Sequence, residues 1–187
     1  MTILITGGTG TLGRPTADLL RAAGHDVRIL SRSTGGDLST GAGLTEALAG
    51  VDTVLHLATS ASRKDIAQTE RLLAASGAVT HFVYISIVGV DTVPYSYYRA
   101  KLACEKLIEA SGIPFTTLRA TQFHSFLAMI PRSQRKLPVI LSIDAPDQPI
   151  AVEEVAARLV ELVDAGPSGL VADIGGPEQL TVRVGGQ

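Results

Sequence analysis

The first thirteen residues constrain the fold most strongly, because a short apolar run leads directly into three regularly spaced glycines. Residues 2–5 are rich in branched side chains and too few for a buried helix, so they predict a core strand. Gly7 permits a tight turn, Gly10 lets the backbone approach a phosphate, and Gly13 allows a helix to pack on the strand. This pattern predicts a pyrophosphate site, and a purely structural strand–turn–helix is the alternative interpretation.

The residues between these glycines extend the predicted site into the following helix. That helix is predicted at residues 12–23, with positions 12, 16, 19, 20 and 23 on its buried face and Gly24 as its stop. Its N-terminus would direct free N–H groups and a positive dipole end at an anion. The predicted contacts are Gly7, Thr9, Gly10, Thr11, Leu12 and Gly13.

Composition restricts the class of protein. The 187 residues are 45% hydrophobic, so we expect one domain over 1–187 with a substantial core. A formal net charge of −2 disfavours nucleic acid as a partner, and the lack of a long apolar run disfavours a membrane span. The expected location is the cytoplasm. The single cysteine, Cys104, is expected to be a buried apolar group.

Strand-like runs alternate with helical patterns, which predicts an α/β protein with a doubly wound parallel sheet. Strands are predicted at 2–6, 26–31, 53–57, 80–86, 115–119 and 170–174, and helices at 12–23, 44–49, 64–76, 97–111 and 153–165. A further strand expected at 33–37 is abbreviated, since only polar residues and glycines are available there. Residues 130–149 hold four of the nine prolines. They predict a small irregular lobe, about 122–150, on the substrate side.

In such a sheet, ligands bind outside the carboxyl ends of the strands. The second strand leads into Arg32 and Ser33, where an acidic residue would bind the ribose hydroxyls of NAD. A guanidinium suits a 2′-phosphate, so this position favours NADP(H) over NAD(H), with a solvated surface arginine as the alternative. Asp37 and Leu38 follow where an adenine would lie, although an ordinary aspartate turn is nearly as good an explanation.

The next strand leads into Leu57, Ala58 and Thr59, where small residues would let the backbone pass close to a cofactor. His56 precedes them and is interpreted as a core histidine with satisfied hydrogen bonds rather than as a catalyst. The four histidines show no metal-ligand spacing, so no metal site is predicted.

A serine, a tyrosine and a lysine form the candidate catalytic group. Ser86 ends the strand at 80–86, and Tyr97 and Lys101 follow within a predicted helix. Their spacing of four places the tyrosine and lysine on one face, about one turn apart. A nearby ammonium is expected to lower the tyrosine pKa, and a serine hydroxyl could hold a substrate oxygen beside the phenol. Tyr95 and Tyr98 are alternative phenols.

Several of these segments together resemble the short-chain dehydrogenase/reductase superfamily, namely 6–13, Asp37-Leu38, 83–86 and Tyr97-x-x-x-Lys101. Residues 119–123, Arg-Ala-Thr-Gln-Phe, resemble its atypical NmrA-like branch. The resemblance implies a Rossmann fold that binds NAD(P). It further implies that Ser86 orients a substrate carbonyl, Tyr97 exchanges a proton and Lys101 holds the nicotinamide ribose. The residues expected near the nicotinamide are Ala120, Thr121, Gln122 and Phe123.

The leading hypothesis is an NADP(H)-dependent oxidoreductase that exchanges a hydride with a small carbonyl, imine or activated alkene. The alternative is a catalytically silent NADP(H)-binding redox sensor, as some NmrA-like members are. A sugar-nucleotide epimerase is disfavoured, because few residues follow Gln122 to form a substrate domain. The expected partner is a small-molecule substrate, and the chain could be a monomer or a homodimer paired through the helix at 97–111.

Two expectations concern the later part of the chain. Arg132, Arg135 and Lys136 could meet an anionic substrate, although a solvated basic loop explains them better. Residues 175–182 resemble a segment that usually leads into a further helix, whereas the sequence ends at Gln187. The expected consequence is an open substrate pocket.

Overall fold

The computed structural model describes residues 1–123, 146–177 and 180–181. Its strands are β1 (Thr2–Thr6), β2 (Asp26–Leu30), β3 (Thr53–His56), β4 (His81–Ile87), β5 (Phe115–Ala120), β6 (Pro146–Asp147), β7 (Gly169–Leu170) and β8 (Leu180–Thr181). Its helices are α1 (Gly13–Ala22), α2 (Leu44–Leu48), α3 (Lys64–Ala75), α4 (Ser96–Ala110) and α5 (Val152–Ala165).

Six of these strands form one parallel sheet in the order β2-β1-β3-β4-β5-β7, which confirms the predicted doubly wound arrangement. The remaining two, β6 and β8, pair antiparallel. β2 lies on one side of β1, and β3, which follows β2 in the sequence, lies on the other side, so the strand order reverses between β1 and β3. The carboxyl ends of β1 and β3 therefore border the crevice where such sheets bind ligands.

Helices cover both faces of the sheet and create two apolar clusters. One cluster lies under α1 and α5 and includes Ile3, Ile5 and Leu159. The other lies under α2, α3 and α4 and includes Leu4 and Cys104, which is fully buried as predicted. The alternation of Ile3, Leu4 and Ile5 between the clusters follows the two-residue period of a strand buried on both faces.

β2 is an edge strand, as the abbreviated sequence after it predicts. In place of a further strand, the chain makes a 3₁₀ turn at Arg32–Thr34 and a single bridge between Asp37 and Ala42. A groove of about 460 Å³, lined in part by Leu30 and Ala47, lies beside this edge.

The prediction for the buried face of α1 is confirmed in part. Leu12, Thr16 and Leu20 are buried, whereas Leu19 is 41% exposed and Ala23 is exposed. The other buried residues of the helix are Gly13 and Ala17. Successive helix residues point about 100° apart, so a helix that packs Gly13 against the preceding loop also buries Ala17 and Leu20, whereas Leu19 points away.

The last strand of the sheet is shorter than predicted. It comprises only Gly169–Leu170, and the predicted continuation persists as one bridge between Ala120 and Ile174. Most of the predicted irregular lobe, at 124–145, and the end of the chain, at 182–187, lie outside the described residues.

Candidate functional site

The loop after β1 accepts only glycine at two of its predicted positions. Gly7 has φ +73°, and a Cβ there would lie 2.7 Å from the backbone nitrogen of Ala58. A Cβ on Gly13 would overlap the carbonyl oxygen of Gly7. Gly10 donates its N–H to that same carbonyl at 2.9 Å and closes the turn. The loop is therefore a tightly folded backbone surface at the carboxyl end of β1.

α1 begins at the end of this loop with an uncapped N-terminus. Its first turn has neither a capping side chain nor an acidic residue. Among the described residues, no acceptor faces the N–H groups of Leu12 and Gly13. Arg14 braces the loop, since its Nε donates to the carbonyl of Thr9 at 2.8 Å. Free N–H groups and a positive dipole end make this segment suitable for binding an anion.

Arg32 and Ser33 lie beside the glycine loop, because Thr6 at the end of β1 pairs with Leu30 at the end of β2. The hydroxyl of Ser33 is 2.8 Å from that of Ser31, which fixes the turn. Arg32 is exposed, and in the described part of the chain its guanidinium makes no hydrogen bond or ion pair. A free guanidinium here can meet a phosphate.

Asp37 is committed to its own loop. Its Oδ1 accepts the N–H of Ser39 at 2.7 Å, and its backbone pairs with Ala42. This geometry agrees with the aspartate turn that was the alternative interpretation. Leu38 is half-buried against the second apolar cluster. A contact of these residues with an adenine stays a prediction.

The end of β3 approaches the glycine loop through main-chain bonds. The N–H of Leu57 donates to the carbonyl oxygen of Thr6 at 3.1 Å, and the N–H of Ala58 donates to Oγ1 of Thr6 at 3.3 Å. These bonds hold the backbone at Ala58 against Gly7. A close passage of Leu57, Ala58 and Thr59 to a cofactor stays a prediction.

His56 is a core histidine, as predicted. Its ring nitrogens bond the hydroxyls of Thr6 at 2.6 Å and Thr69 at 3.0 Å, and its ring stacks on Tyr84. Burial, together with the charge of Lys101, lowers the pKa of His56 to about 3. A ring that stays neutral and has both nitrogens satisfied serves the structure.

Ser86 and Lys101 lie close together at the end of β4. Ser86 is buried, and its Oγ has no hydrogen-bond partner among the described residues. Lys101 reaches this strand from α4: its Nζ donates to the carbonyl of Ile85 at 3.2 Å and lies 4.7 Å from the centre of the Tyr84 ring. Burial lowers the pKa of Lys101.

The expected lowering of the Tyr97 pKa by Lys101 is wrong for this structure. The Tyr97 hydroxyl lies 3.3 Å from Oγ1 of Thr59 and, within the described residues, makes no bond to Ser86 or Lys101. Burial raises the pKa of Tyr97, and the charge of Asp65 adds to the rise. A spacing of four places two residues on one helix face, but it does not set their depth in the protein.

Asp65, in the first turn of α3, is the site residue that sequence reasoning missed. It is 3% exposed, and its carboxylate accepts from the Thr59 hydroxyl at 2.6 Å and from the Ser60 N–H at 2.6 Å. The Ser60 hydroxyl also donates to it. A run of hydroxyl side chains at a strand end, followed by an aspartate at a helix start, was the available signal.

The segment after β5 is fixed beside these groups. Ala120 is buried, and the N–H of Thr121 donates to the carbonyl of Ile174 at 3.0 Å. The amide of Gln122 donates to the hydroxyl of Tyr98, so this alternative phenol is engaged. The other, Tyr95, is 62% exposed. A contact of this segment with a nicotinamide stays a prediction.

Within the described ranges, 1–123, 146–177 and 180–181, none of the helices has the length and apolar character that spanning a membrane requires. The same part of the chain contains no group of three or more histidine, cysteine or carboxylate side chains that could hold a metal ion. The basic residues Arg132, Arg135 and Lys136 lie outside it.

Sequence comparison places the chain among proteins of one family. A model of the NmrA-like family matches residues 1–171. The chain is also 32% identical to the (4-alkanoyl-5-oxo-2,5-dihydrofuran-3-yl)methyl phosphate reductase of Streptomyces griseus subsp. griseus. That alignment covers 97% of this chain and 70% of the relative.

Solved structures share the fold but hold different cofactors. The NADPH-dependent quinone oxidoreductase QOR2 of Escherichia coli, complexed with NADPH, has a TM-score of 0.77 at 23% identity, covering 96% of this chain and 71% of that one. A short-chain dehydrogenase/reductase superfamily protein of Agrobacterium tumefaciens with bound NAD has a TM-score of 0.77 at 22% identity, covering 97% and 79%. Both confirm the Rossmann-type fold, and together they leave the choice between NAD and NADP open.

Proposed function

Because the chain belongs to the NmrA-like family, we propose that it is an oxidoreductase that binds NADP(H) in the crevice between β1 and β3. The observation that carries the proposal is the glycine loop, where two glycines leave no room for a Cβ and the helix behind them is uncapped. The names of two relatives support a redox activity, since one is the (4-alkanoyl-5-oxo-2,5-dihydrofuran-3-yl)methyl phosphate reductase and the other is quinone oxidoreductase 2 of Escherichia coli.

The residues of the crevice fit a phosphorylated dinucleotide. The glycine loop and the N-terminus of α1 would hold the pyrophosphate, and Arg32 with Ser33 would hold the 2′-phosphate. Lys101 uses one of its three N–H donors on Ile85 and has two left for a ribose hydroxyl. The nicotinamide, when bound, supplies or accepts a hydride.

Within this proposal, the protein contributes orientation and a proton. The Ser86 hydroxyl, which has no hydrogen-bond partner within the described ranges, would hold a substrate oxygen. Tyr97 is protonated near neutral pH, as an ordinary phenol is, and burial raises its pKa further. It is therefore suited to give a proton to a reduced substrate rather than to remove one. This favours reduction of a small carbonyl, imine or activated alkene.

The cofactor proposal is tested by titrating the protein with NADPH and with NADH while following nicotinamide fluorescence. We expect NADPH to bind at least about tenfold more tightly, a difference of about 1.4 kcal/mol. Arg32→Ala should remove this preference and leave NADH binding unchanged. Arg21→Ala, which removes an exposed arginine from the far end of α1, is the matched control and should keep the preference for NADPH. Equal affinities in the wild type would disprove the role of Arg32, and binding of neither cofactor would disprove the function.

A second candidate function is a non-catalytic NADP(H)-binding sensor. The observation in its favour is the hydrogen bond of Tyr97 to Thr59 in place of a contact with Lys101. Tyr97→Phe separates the two functions: it should lower carbonyl reduction by about 10²-fold or more in an enzyme, with NADPH affinity kept. Tyr95→Phe, at an exposed phenol, is the control. NADPH binding without turnover of any carbonyl, imine or alkene tested would favour the sensor.

A further inference from the structure

The hydroxyl of Thr59 lies between two acidic groups that both approach its single proton. Its Oγ1 is 2.6 Å from Oδ2 of Asp65 and 3.3 Å from the hydroxyl oxygen of Tyr97. The N–H of Ala61 donates to the same oxygen at 3.1 Å. Thr59 is therefore the only link by hydrogen bonds from the carboxylate to the phenol among the described residues.

The number of available protons determines which group donates in each of these hydrogen bonds. The Asp65 carboxylate only accepts, so the bond at 2.6 Å takes the one proton of Thr59. The Thr59 oxygen then has lone pairs but no proton for its other neighbours. The Tyr97 hydroxyl must consequently donate to Thr59, and its own lone pairs are left for other partners.

The loop around the carboxylate is built to hold it in place. Asp65 is buried, and Ser60 donates to it from both its N–H and its hydroxyl. Ala61, which also bonds Thr59, has φ +51°, a conformation that residues other than glycine rarely adopt. The backbone is therefore locally strained at Ala61, in the loop where Thr59 and Ser60 bond to Asp65.

We propose that Asp65 is a positioning residue which, by holding the proton of Thr59, keeps the Tyr97 hydroxyl protonated and donating. Asp65 and an ionised Tyr97 would compete for one Thr59 proton, and the shorter bond goes to Asp65. The inference rests on the proposed function only for its consequence: in a reductase, Asp65 keeps Tyr97 in the form that can give a proton.

The groups that act on Tyr97 come from three elements. Asp65 on α3 acts through space and through Thr59, and Tyr98 and Cys104 lie on α4 with Tyr97 itself. Tyr84 on β4 is also coupled to Tyr97. Of these, only Asp65 is a carboxylate, and only Asp65 reaches Tyr97 through an intervening hydroxyl.

The test follows the ionisation of Tyr97 by NMR of protein labelled at the tyrosine ring carbon that bears the hydroxyl. Tyr97→Phe assigns its signal. Asp65→Asn keeps the side-chain shape, removes the charge and can donate an amide N–H to Thr59, which frees the Thr59 proton for Tyr97. We expect Tyr97 to titrate at lower pH in this variant. Glu70→Gln, the same charge change at an exposed position of α3, is the matched control and should cause no comparable shift.

Thr59→Val separates a relay from a simple charge effect. It removes the hydroxyl, so the shift caused by Asp65→Asn should become clearly smaller in the Thr59→Val background. An equal shift in both backgrounds, or no shift with Asp65→Asn, would overturn the proposal. Should Asp65→Asn fail to fold, Thr59→Val alone decides. It removes the oxygen that accepts the Tyr97 proton, so the titration of Tyr97 should move to lower pH, and an unchanged or higher value would reject the link.

Activity provides a separate readout. In carbonyl reduction with NADPH, Asp65→Asn should move the alkaline limb of the pH–rate profile to lower pH in step with the NMR titration. The absence of turnover in the wild type would count against the proposed function, while the NMR comparison would still decide the role of Asp65.

Discussion

The buried hydroxyl of Ser86 affects both the stability of the protein and its proposed activity. Ser86 is 3% exposed, and its Oγ has no partner in the described part of the chain. Leaving a buried hydroxyl unpaired costs about 1–3 kcal/mol. Thr117 on β5 carries a second such hydroxyl. The two differ in position, since Ser86 lies at the carboxyl end of β4 next to Lys101, whereas Thr117 lies in the middle of its strand.

We therefore predict that Ser86→Ala and Thr117→Val both leave the free energy of unfolding unchanged or raise it by up to about 1 kcal/mol. Only Ser86→Ala should lower carbonyl reduction, because only this hydroxyl lies where a substrate oxygen would bind. Urea unfolding and steady-state kinetics measure the two effects. A Ser86→Ala protein that is clearly less stable than the wild type would contradict the view that its hydroxyl lacks a partner.

Single residues also mark where sequence reasoning succeeds and fails. The role of Gly7 and Gly13 could be predicted, because only glycine fits a loop so close to its own backbone. The lowered pKa expected for Tyr97 was wrong, since burial raises this pKa, the charge of Asp65 adds to the rise, and Lys101 extends to β4 instead. The approach of Asp65 depends on a strained loop and on packing between α3 and α4, neither of which leaves a periodic pattern.

At the scale of elements, Arg119 connects β5 to α4 and to the β4–α4 loop by hydrogen bonds. Arg119 on β5 forms two bonds with Glu105 on α4, at 3.0 and 2.7 Å, and one with Asp91 in the β4–α4 loop at 2.9 Å. Arg119 and Glu105 are about nine-tenths buried. This pairing raises the pKa of Arg119 and lowers that of Asp91. It holds the loop and α4 against the sheet, and so fixes the helix that carries Tyr97.

We expect Arg119→Met to destabilise the protein by about 3 kcal/mol, because it leaves the Glu105 carboxylate buried without a partner. Arg119→Lys should cost less, since it keeps the charge but loses the paired bonds. Arg158→Met breaks a surface pair with Glu161 and should cost less than about 1 kcal/mol. Chemical unfolding measures the free energy of unfolding of all three variants. Equal losses of stability for Arg119→Met and Arg158→Met would contradict the role proposed for the Arg119 bonds.

The elements themselves were largely predictable. Short apolar runs mark β1 to β5 and helical patterns mark all five described helices, and the lack of apolar residues after β2 marks the missing strand. The errors lie where pairing decides the outcome. Residues 171–174 are apolar enough for a strand, but the ladder with β5 ends at Leu170 and resumes only at Ile174.

For the molecule as a whole, buried histidines make stability depend on pH. His56 has no exposed polar atom to protonate without breaking a bond to Thr6 or Thr69, and burial lowers its pKa to about 3. Burial also lowers the pKa of His81, whose ring bonds Thr116. In the unfolded chain, both return to about 6.5. Between these values the unfolded state binds more protons than the folded state, so stability is full above about pH 6.5 and falls as the pH falls toward 3.

We predict a loss of up to about 1.4 kcal/mol per pH unit from His56 alone below about pH 6.5. Urea unfolding between about pH 7.5 and about pH 5 measures this slope. His56→Gln should flatten it without abolishing it, because His81 still titrates. Should His56→Gln not fold, NMR titration of the histidine rings provides the test: His56 must stay neutral well below pH 6.5, and protonation near that value would refute the prediction.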